Sequence, residues 1–506
     1  MKQYLLGIDI GTSACKVALF SPNGTVCAQA NGTYEVFYPK PGWAEQNPND
    51  WWDAVCGAIR AVLEQSGIRP QQICAVGVDG QSWSAIPLDS DGTVLCKTPI
   101  WMDTRAADIC DELDRRIGKE RIFKVCGNPL QPAYTLPKIL WYQKHRPDMF
   151  QKIDKILQSN SYIVYQLTGA ITQDISQGYG LHFFDMRHGT WDAALCKEMR
   201  LTLDIMPQIV PCHQIVGTVT KSASAQSGLC EGVPVVAGGL DAACGTLGAG
   251  VLHAGQTQEQ GGQAGGMSIC IDTYNADPRL ILGFHVVPDR WLLQGGTVGG
   301  GGVVRWFEKQ FCLEERIAAK QHGISPFYEL DVQAQTVPAG SDGVVFLPYM
   351  AGERSPIWDA DAKGVYYGLD FSKTRAHLMR ASMEGVAYSL RHNLQTAEQA
   401  GAFAQELRSM GGAANSRLWT QIKADVTGKR ITVPSSDTAT TLGAAMLAGV
   451  AAGVYRGFDD AVKQTVQVKR VHEPNLDNKE RYDAGFATYL QLYERLKPLM
   501  KKGSKA

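Results

Sequence analysis

The sequence lacks paired cysteines, a basic surplus and any apolar run of bilayer length, and each absence removes a class of protein. Thirteen cysteines lie singly along 506 residues, with no Cys-x-x-Cys anywhere. An odd number without framework spacing reads as reduced thiols in a cytoplasmic protein. The ten histidines form no His-Glu-x-x-His or other zinc-type cluster, so buried Cys and His are read as packing residues. A formal net charge of -1 provides none of the cationic excess that nucleic acid demands. With no long apolar run, no membrane partner is expected. Met1-Lys2-Gln3-Tyr4 leads straight into a strand pattern and leaves no room for a signal peptide. The Walker pattern Gly-x-x-x-x-Gly-Lys-Ser/Thr is also missing, and the best strand-to-helix glycine turn is not Gly-x-Gly-x-x-Gly.

What is present is a soluble globular composition, 44% hydrophobic and 20% charged, on a chain long enough for two or more domains. Glycine is the informative excess. Its 53 residues concentrate at 238–266, 283–302 and 411–412, as loops that bring backbone against a ligand require.

Strand patterns cover Tyr4 to Ile10, Lys16 to Phe20 and Thr25 to Ala30, a meander whose first turn is Gly11-Thr12-Ser13. A helix is predicted from Asn49 to Gln65, a buried strand from Ile73 to Val78, and mainly helix from 132 to 168. A second start follows at Val233 to Ala237, with a helix over Ala242 to Ala249. Thr257 to Gln260 and Met267 to Asp272 then form a hairpin turned by glycines 261–266. That hairpin echoes residues 4–20 and suggests two similar halves. Further on, a strand over Leu407 to Met410 and a helix from Ser416 to Val426 closed by Gly428 are expected. A small-residue helix over Thr441 to Ala452 suits close packing. From Arg470 the chain reads as polar and helical, with a frayed basic tail from Lys501 to Ala506.

Three places carry the chemistry. In Asp9-Ile10-Gly11-Thr12-Ser13-Ala14-Cys15-Lys16, a strand ends in a turn whose backbone N–H groups and hydroxyls form a phosphate-sized nest. Lys16 adds a point charge, and Asp9 can hold Mg²⁺; a plain hairpin is the alternative. Asp241 follows two glycines at a helix start, where it suits either an N-cap or a base that orients a hydroxyl and takes its proton. Gly295 to Gly302 and Gly411-Gly412-Ala413-Ala414-Asn415-Ser416 are costly to order and read as ligand loops, the second against a purine or ribose.

Taken in order, these pieces are joined by Trp101-Met102-Asp103-Thr104-Arg105, by Gly239-Leu240-Asp241 and by Gly352-Glu353-Arg354-Ser355-Pro356-Ile357-Trp358-Asp359. They continue through Gly411 to Trp419 and Leu442-Gly443-Ala444-Ala445. Over almost the whole chain they resemble the FGGY carbohydrate kinases, of the xylulokinase-like kind, within the actin/Hsp70-like (ribonuclease H-like) ATPase superfamily. The resemblance implies an α/β chain with a ligand cleft between two domains, 1–248 carrying the acceptor pocket and 249–506 binding nucleotide. It implies ATP and Mg²⁺, with Asp9 at the metal and Gly11, Thr12, Ser13 and Lys16 facing the phosphates. Asp241 matches the base. Gly262 and Gln263 match a second phosphate turn, although Ser or Thr is usual where this chain has Gln263-Ala264. Gly301 matches a phosphate contact, and Gly411, Gly412, Asn415 and Ser416 match adenosine contacts. Gln81, Ser82, Trp83, Trp101, Asp103 and Tyr134 line the implied acceptor pocket with Asp241. Enzymes acting on D-xylulose commonly carry Gln-Met-His where this chain has Gln81-Ser82-Trp83, and Asn where it has Ala242. The partner implied is a small sugar or polyol, pentulose class first, and a homodimer fits the family. Glu353 and Arg354 are expected to pair near the domain junction. A nucleotide- or sugar-binding sensor and a filament-forming or chaperone-like ATPase are the rival readings.

Overall fold

The computed structural model describes residues 3–436 and 438–503. The N-terminal half builds a seven-stranded sheet from β1 (Tyr4–Ile10), β2 (Ala14–Phe20), β3 (Val26–Thr33), β4 (Ile73–Gly80), β5 (Ile215–Thr218), β6 (Pro234–Val236) and β7 (Gly239–Leu240). Helix α1 (Pro48–Ser66) covers one face. Its Asn47 cap, its leading proline and Gly67, in the left-handed region, set its ends, and Trp51, Trp52, Val55, Ile59 and Val62 form its buried stripe. Also in this half are α2 (Thr135–His145), α3 (Ser159–Thr168) and α4 (Asp241–Gly248). A short strand, Lys155–Leu157, interrupts the helical stretch predicted over 132–168.

The second sheet comprises β8 (Gln256–Gly261), β9 (Gly265–Ile271), β10 (Ile281–Phe284), β11 (Trp291–Thr297), β12 (Glu406–Met410), β13 (Arg430–Pro434) and β14 (Val468–His472). Its helices are α5 (Gly301–Phe311), α6 (Arg375–Gln399), α7 (Arg417–Thr427), α8 (Ala439–Ala451) and α9 (Lys479–Gly503). Strand order is β5-β6-β4-β1-β2-β3 in the first sheet and β10-β11-β9-β8-β12-β13-β14 in the second. The two match in sense as well. β1 and β8 each pair antiparallel with the following strand and parallel with β4 or β12. Each sheet also carries an antiparallel strand beside β6 or β13. The internal echo in the sequence is thus a repeated topology.

Near the C-terminus the reading needs correcting. Val468–His472 is an edge strand held by β13, so the helical stretch starts only at Lys479. The polar alternation there belongs to a strand with one face in solvent. Lys501 lies in α9, and residues 504–506 of the basic tail lie outside the described residues.

Helix α8 comes from the second half of the chain yet lies on β1 and β4 of the first sheet, against α4. Small residues permit this. A side chain at Gly77 would strike the Ala444 carbonyl, and one at Gly443 the Cys244 carbonyl. The main apolar core therefore runs continuously from Leu5 and Ala75 through Leu247 and Met446 to Met267 and Leu407. Among the described residues, no helix is long and apolar enough to cross a membrane.

Candidate active site

The two hairpin turns are built alike. The Gly11 N–H donates to the Ala14 carbonyl at 3.2 Å, and the Gly262 N–H to the Ala264 carbonyl at 3.0 Å. In each turn the next two amides, of Thr12 and Ser13 and of Gln263 and Ala264, have no protein acceptor among the described residues. Paired free amides of this kind make an anion nest. The first turn is braced from behind. Tyr34 donates to the Gly11 carbonyl (2.6 Å), Gln46 to the Thr12 carbonyl (2.8 Å) and the Trp101 indole to the Thr12 hydroxyl (2.9 Å).

At the mouth of this turn stand three carboxylates. Asp9 is the penultimate residue of β1, and its Oδ2 accepts from Thr440 on α8 (2.9 Å) and lies 3.4 Å from Lys16 Nζ. Asp79, its register partner on β4, pairs in turn with Gly239, two residues before Asp241. Both Asp79 oxygens are buried beside Asp9, and among the described residues no donor reaches them. Burial first, then the charges of Asp9 and Asp241, push the Asp79 carboxyl well above its usual range. Asp241 is the first residue of α4, with Leu240 in the capping position. Its Oδ1 accepts from the Ala242 N–H at 2.6 Å. Burial and then the Asp9 charge raise its pKa to about 7, against the pull of that N–H and of Lys16. The fold thus brings the expected Asp9 and Asp241 together and adds Asp79 and Thr440, which the sequence reading missed. Asp79 was legible as an acidic end to an apolar strand, but that strand was stopped at Val78. Nothing local marks Thr440, which arrives on a helix about 430 positions away.

Of the expected acceptor residues, Trp83 and Tyr134 stack at 4.1 Å between ring centroids, with Tyr179 edge-on to both. Tyr179 senses the Asp241 charge, so this aromatic cluster flanks the carboxylate. The Trp83 indole N–H and the Tyr134 hydroxyl are both buried, the indole beside Tyr179, and the Tyr134 hydroxyl has no hydrogen-bond partner among the described residues. Ser82 is half-buried. Gln81 is fully buried and donates to Gln46, so it links this wall to the phosphate turn, leaving only its Oε1 unpaired.

Asp103 is a correction. Its oxygens accept from the Ala44 N–H (2.7 Å) and from Arg105 through Nε and Nη2, with no exposed surface left for a sugar. Its place between a cation and a loop amide gives it a structural role. The expected Glu353–Arg354 pairing also takes another form. Glu353 accepts from the Val298 and Arg354 backbone N–H groups, both at 2.7 Å, and burial raises its pKa to about 7. The Arg354 side chain lies 5.2 Å over the Trp101 ring instead.

On the other half, a cavity of about 430 Å³ is lined by Gly262, Gln263, Gly301, Gly412, Asn415 and Ser416 of the expected set, with Phe327, Tyr328, Met383 and Trp419 added. Gly411 lies just behind this wall. Its φ is +83°, and a Cβ there would stand 2.9 Å from the Gly261 carbonyl, so the turn requires glycine. Ser416 Oγ caps α7 by accepting from the Trp419 N–H at 2.9 Å. Gly301 sits at the wall, but its N–H and that of Gly302 already donate to the Gly262 and Gln263 carbonyls, at 2.7 and 2.9 Å. The free amides at this end belong to the turn and not to the helix. Phe327 and Tyr328 went unforeseen because only the pocket distinguishes them from ordinary helix residues.

One hairpin nest beside a carboxylate cluster, and a second of the same build opening on a cavity, are the parts a phosphoryl-transfer site needs. Residues 4–248 match the N-terminal domain of the FGGY family of carbohydrate kinases and residues 273–452 its C-terminal domain. The chain belongs to that family, and is a sugar kinase with the two-domain actin/Hsp70-like fold. It is 30% identical to the xylulose kinase of Bacillus subtilis over 499 residues, 98% of each chain. It is 29% identical to the gluconokinase of the same organism, over 97% of this chain and 96% of that one. The crystal structure of xylulose kinase from Rhodospirillum rubrum superposes with a TM-score of 0.90 at 30% identity, covering 99% of this chain and all of that one.

Proposed function

We propose that this kinase transfers the γ-phosphate of ATP to a primary hydroxyl of a small ketose or polyol, pentuloses first, with Asp241 as the base. The observation that carries the reading is the junction of Asp9, Asp79 and Asp241 at the head of one sheet, beside the Thr12–Ser13 nest. A carboxylate with a pKa of about 7 is poised to receive a proton near neutrality. Asp241 orients the acceptor hydroxyl and takes its proton as the hydroxyl oxygen attacks the γ-phosphorus in line. The amides of Thr12, Ser13, Gln263 and Ala264 take up the charge that spreads over the phosphate oxygens. Adenosine occupies the cavity lined by Gly412, Asn415 and Trp419.

The residues present fit a magnesium ion. Asp9 would hold it, and the two orphaned oxygens of Asp79 lie next door. Among the described residues, no three acidic, His or Cys side chains converge to cage a cation. The ion would therefore keep water or phosphate oxygens in its shell, as Mg²⁺ usually does, and shield phosphate charge there. Thirteen unpaired thiols suit the reducing cytoplasm, where we place the protein.

A second acceptor class is favoured by Arg354. Its guanidinium faces Trp101 and makes no hydrogen bond or ion pair among the described residues, which suits an anionic acceptor such as an aldonic acid. A coupled ADP assay over ketoses, polyols and aldonates, run with wild type and Asp241→Asn, tests both readings. The substitution should lower turnover on the best acceptor by about 10²–10⁴-fold while leaving calorimetric nucleotide binding nearly unchanged. Near-normal turnover in a folded Asp241→Asn enzyme would remove Asp241 from the role.

A further inference from the structure

Lys138 has no exposed surface, yet it carries an amine on the inner face of α2. Its Nζ donates to the Trp83 carbonyl and to the Ile100 carbonyl, each at 2.8 Å. These acceptors belong to two separate loops. One presents Ser82 and Trp83 to the site, and the other presents Trp101, whose indole reaches Thr12 of the phosphate nest. Trp83 has φ of +63°, a conformation that a bulky side chain holds only when its surroundings impose it. A charge-assisted bond to the carbonyl of that same residue is such an imposition.

The charges around the amine are balanced. Asp103 is the anion that most favours its protonated form, and Arg105 opposes it. Arg105 in turn bridges Asp103 at 2.7 Å and Glu45 at 2.8 Å. Loop 81–85 brings no charged residue, and the other cationic positions of α2, Lys144 and His145, are exposed and engaged with Asp108. Two cations therefore face two carboxylates, and the set is neutral only while Lys138 keeps its proton.

We propose that Lys138 is a positioning residue that fastens the two acceptor loops to one point, fixing Trp83 and Trp101 against the acceptor without touching it. The inference rests on the acceptor-site reading given above. Burial lowers the Lys138 pKa to about 7, so the two bonds weaken as pH rises past neutrality, and acceptor affinity falls with them.

The test uses full-length protein labelled with 5-fluorotryptophan, whose eleven tryptophans are resolved by ¹⁹F NMR and assigned with Trp83→Phe and Trp101→Phe. In Lys138→Met the Trp83 and Trp101 resonances should shift or broaden while the rest stay. Acceptor KM should rise about tenfold to a hundredfold, as sub-ångström to ångström misplacement does, with the KM for ATP, whose nest meets Trp101 only through the Thr12 hydroxyl, changing less. If neither the two resonances nor acceptor KM moves, Lys138 has no such role and the acceptor assignment stands. If the resonances move but acceptor KM does not, the acceptor assignment of the two tryptophans fails and takes the positioning role with it. Should Lys138→Met fail to fold, a pH titration in the Asp79→Asn/Asp241→Asn background decides, because it silences both nearby carboxylates whose pKa burial raises. Glu353 acts on Trp101 through Arg354, so Trp83 is the reporter. A Trp83 midpoint near 7 supports the proposal, and a Trp83 signal flat from pH 6 to 8.5 overturns it.

Discussion

The second phosphate turn stands on a buried ion pair, and removing one partner should loosen the nucleotide end of the cleft. Glu259, near the end of β8, meets Lys423 of α7 at 2.6 Å, with side-chain exposures of 4% and 2%. Glu259 also accepts from the Ser409 hydroxyl. Lys423 lies 4.9 Å from the ring centre of Trp419, which walls the nucleotide cavity, and a Cβ on Gly261 would stand 3.3 Å from its ammonium. Lys423→Met leaves the Glu259 charge buried with only a hydroxyl for company. Breaking a pair of this kind costs about 3–5 kcal/mol. At about 2–4 °C per kcal/mol for a domain of this size, the melting temperature should drop by roughly 10 °C. ATP KM should rise, because both the turn and Trp419 lose their shared support. Adding Glu259→Met to Lys423→Met should recover most of the stability, since two apolar groups in place of a buried pair are often neutral or better. Calorimetry on the four proteins of the cycle supplies the coupling. A loss below about 1 kcal/mol in Lys423→Met, within the range of exposed pairs, would refute the account of the turn's support.

Three further outcomes follow from the site. Stopped-time assays of kcat at saturating acceptor against pH should show a limb rising through about 7, where Asp241 loses its proton; a limb near 4 would contradict the buried, Asp9-opposed carboxylate. The same raised value has a stability sign. Between its ordinary 3.8 and about 7 the unfolded chain gives up a proton that the folded one keeps, so folding weakens as pH rises through that window, and Asp241→Asn should flatten that slope in urea titrations. Gly411→Ala places a methyl 2.9 Å from the Gly261 carbonyl at a φ of +83°, and should weaken ADP binding by tenfold or more in calorimetry while sparing acceptor-side tryptophan signals.

Much of this molecule is readable from its residue pattern, for reasons that differ along the chain. The strands at 4–20 were legible as apolar runs about a glycine turn, and those at 257–272 because the glycines at 261–266 mark a turn before the apolar run that follows Met267. The end of α7 was legible because Gly428, with φ of +66°, closes it. Asp9 and Asp241 could be named because one lies near the end of a strand before a small-residue turn and the other follows two glycines at a helix start. Apart from the strand end at Asp79 and the short strand Lys155–Leu157, the misses are long-range. The carboxylate of Asp103 resembles a ligand until the fold delivers Arg105 and the Ala44 N–H to it. Lys138 reads as one more charge on an amphipathic helix until two distant carbonyls close around it. Val468–His472 lacks the strong apolar run of a central strand, and only pairing with β13 makes it one.

The seat of α8 on the first sheet carries a consequence for biosynthesis. A nascent chain finishes β1, β4 and α4 by Gly248, but the helix that roofs them ends only at Ala451. At ribosomal speeds of about 5–20 residues per second, that surface waits roughly 10–40 s for its cover. A fragment ending at residue 248 would never receive it, and would leave the ribosome with Leu5 and Ala75 bare and in need of a chaperone.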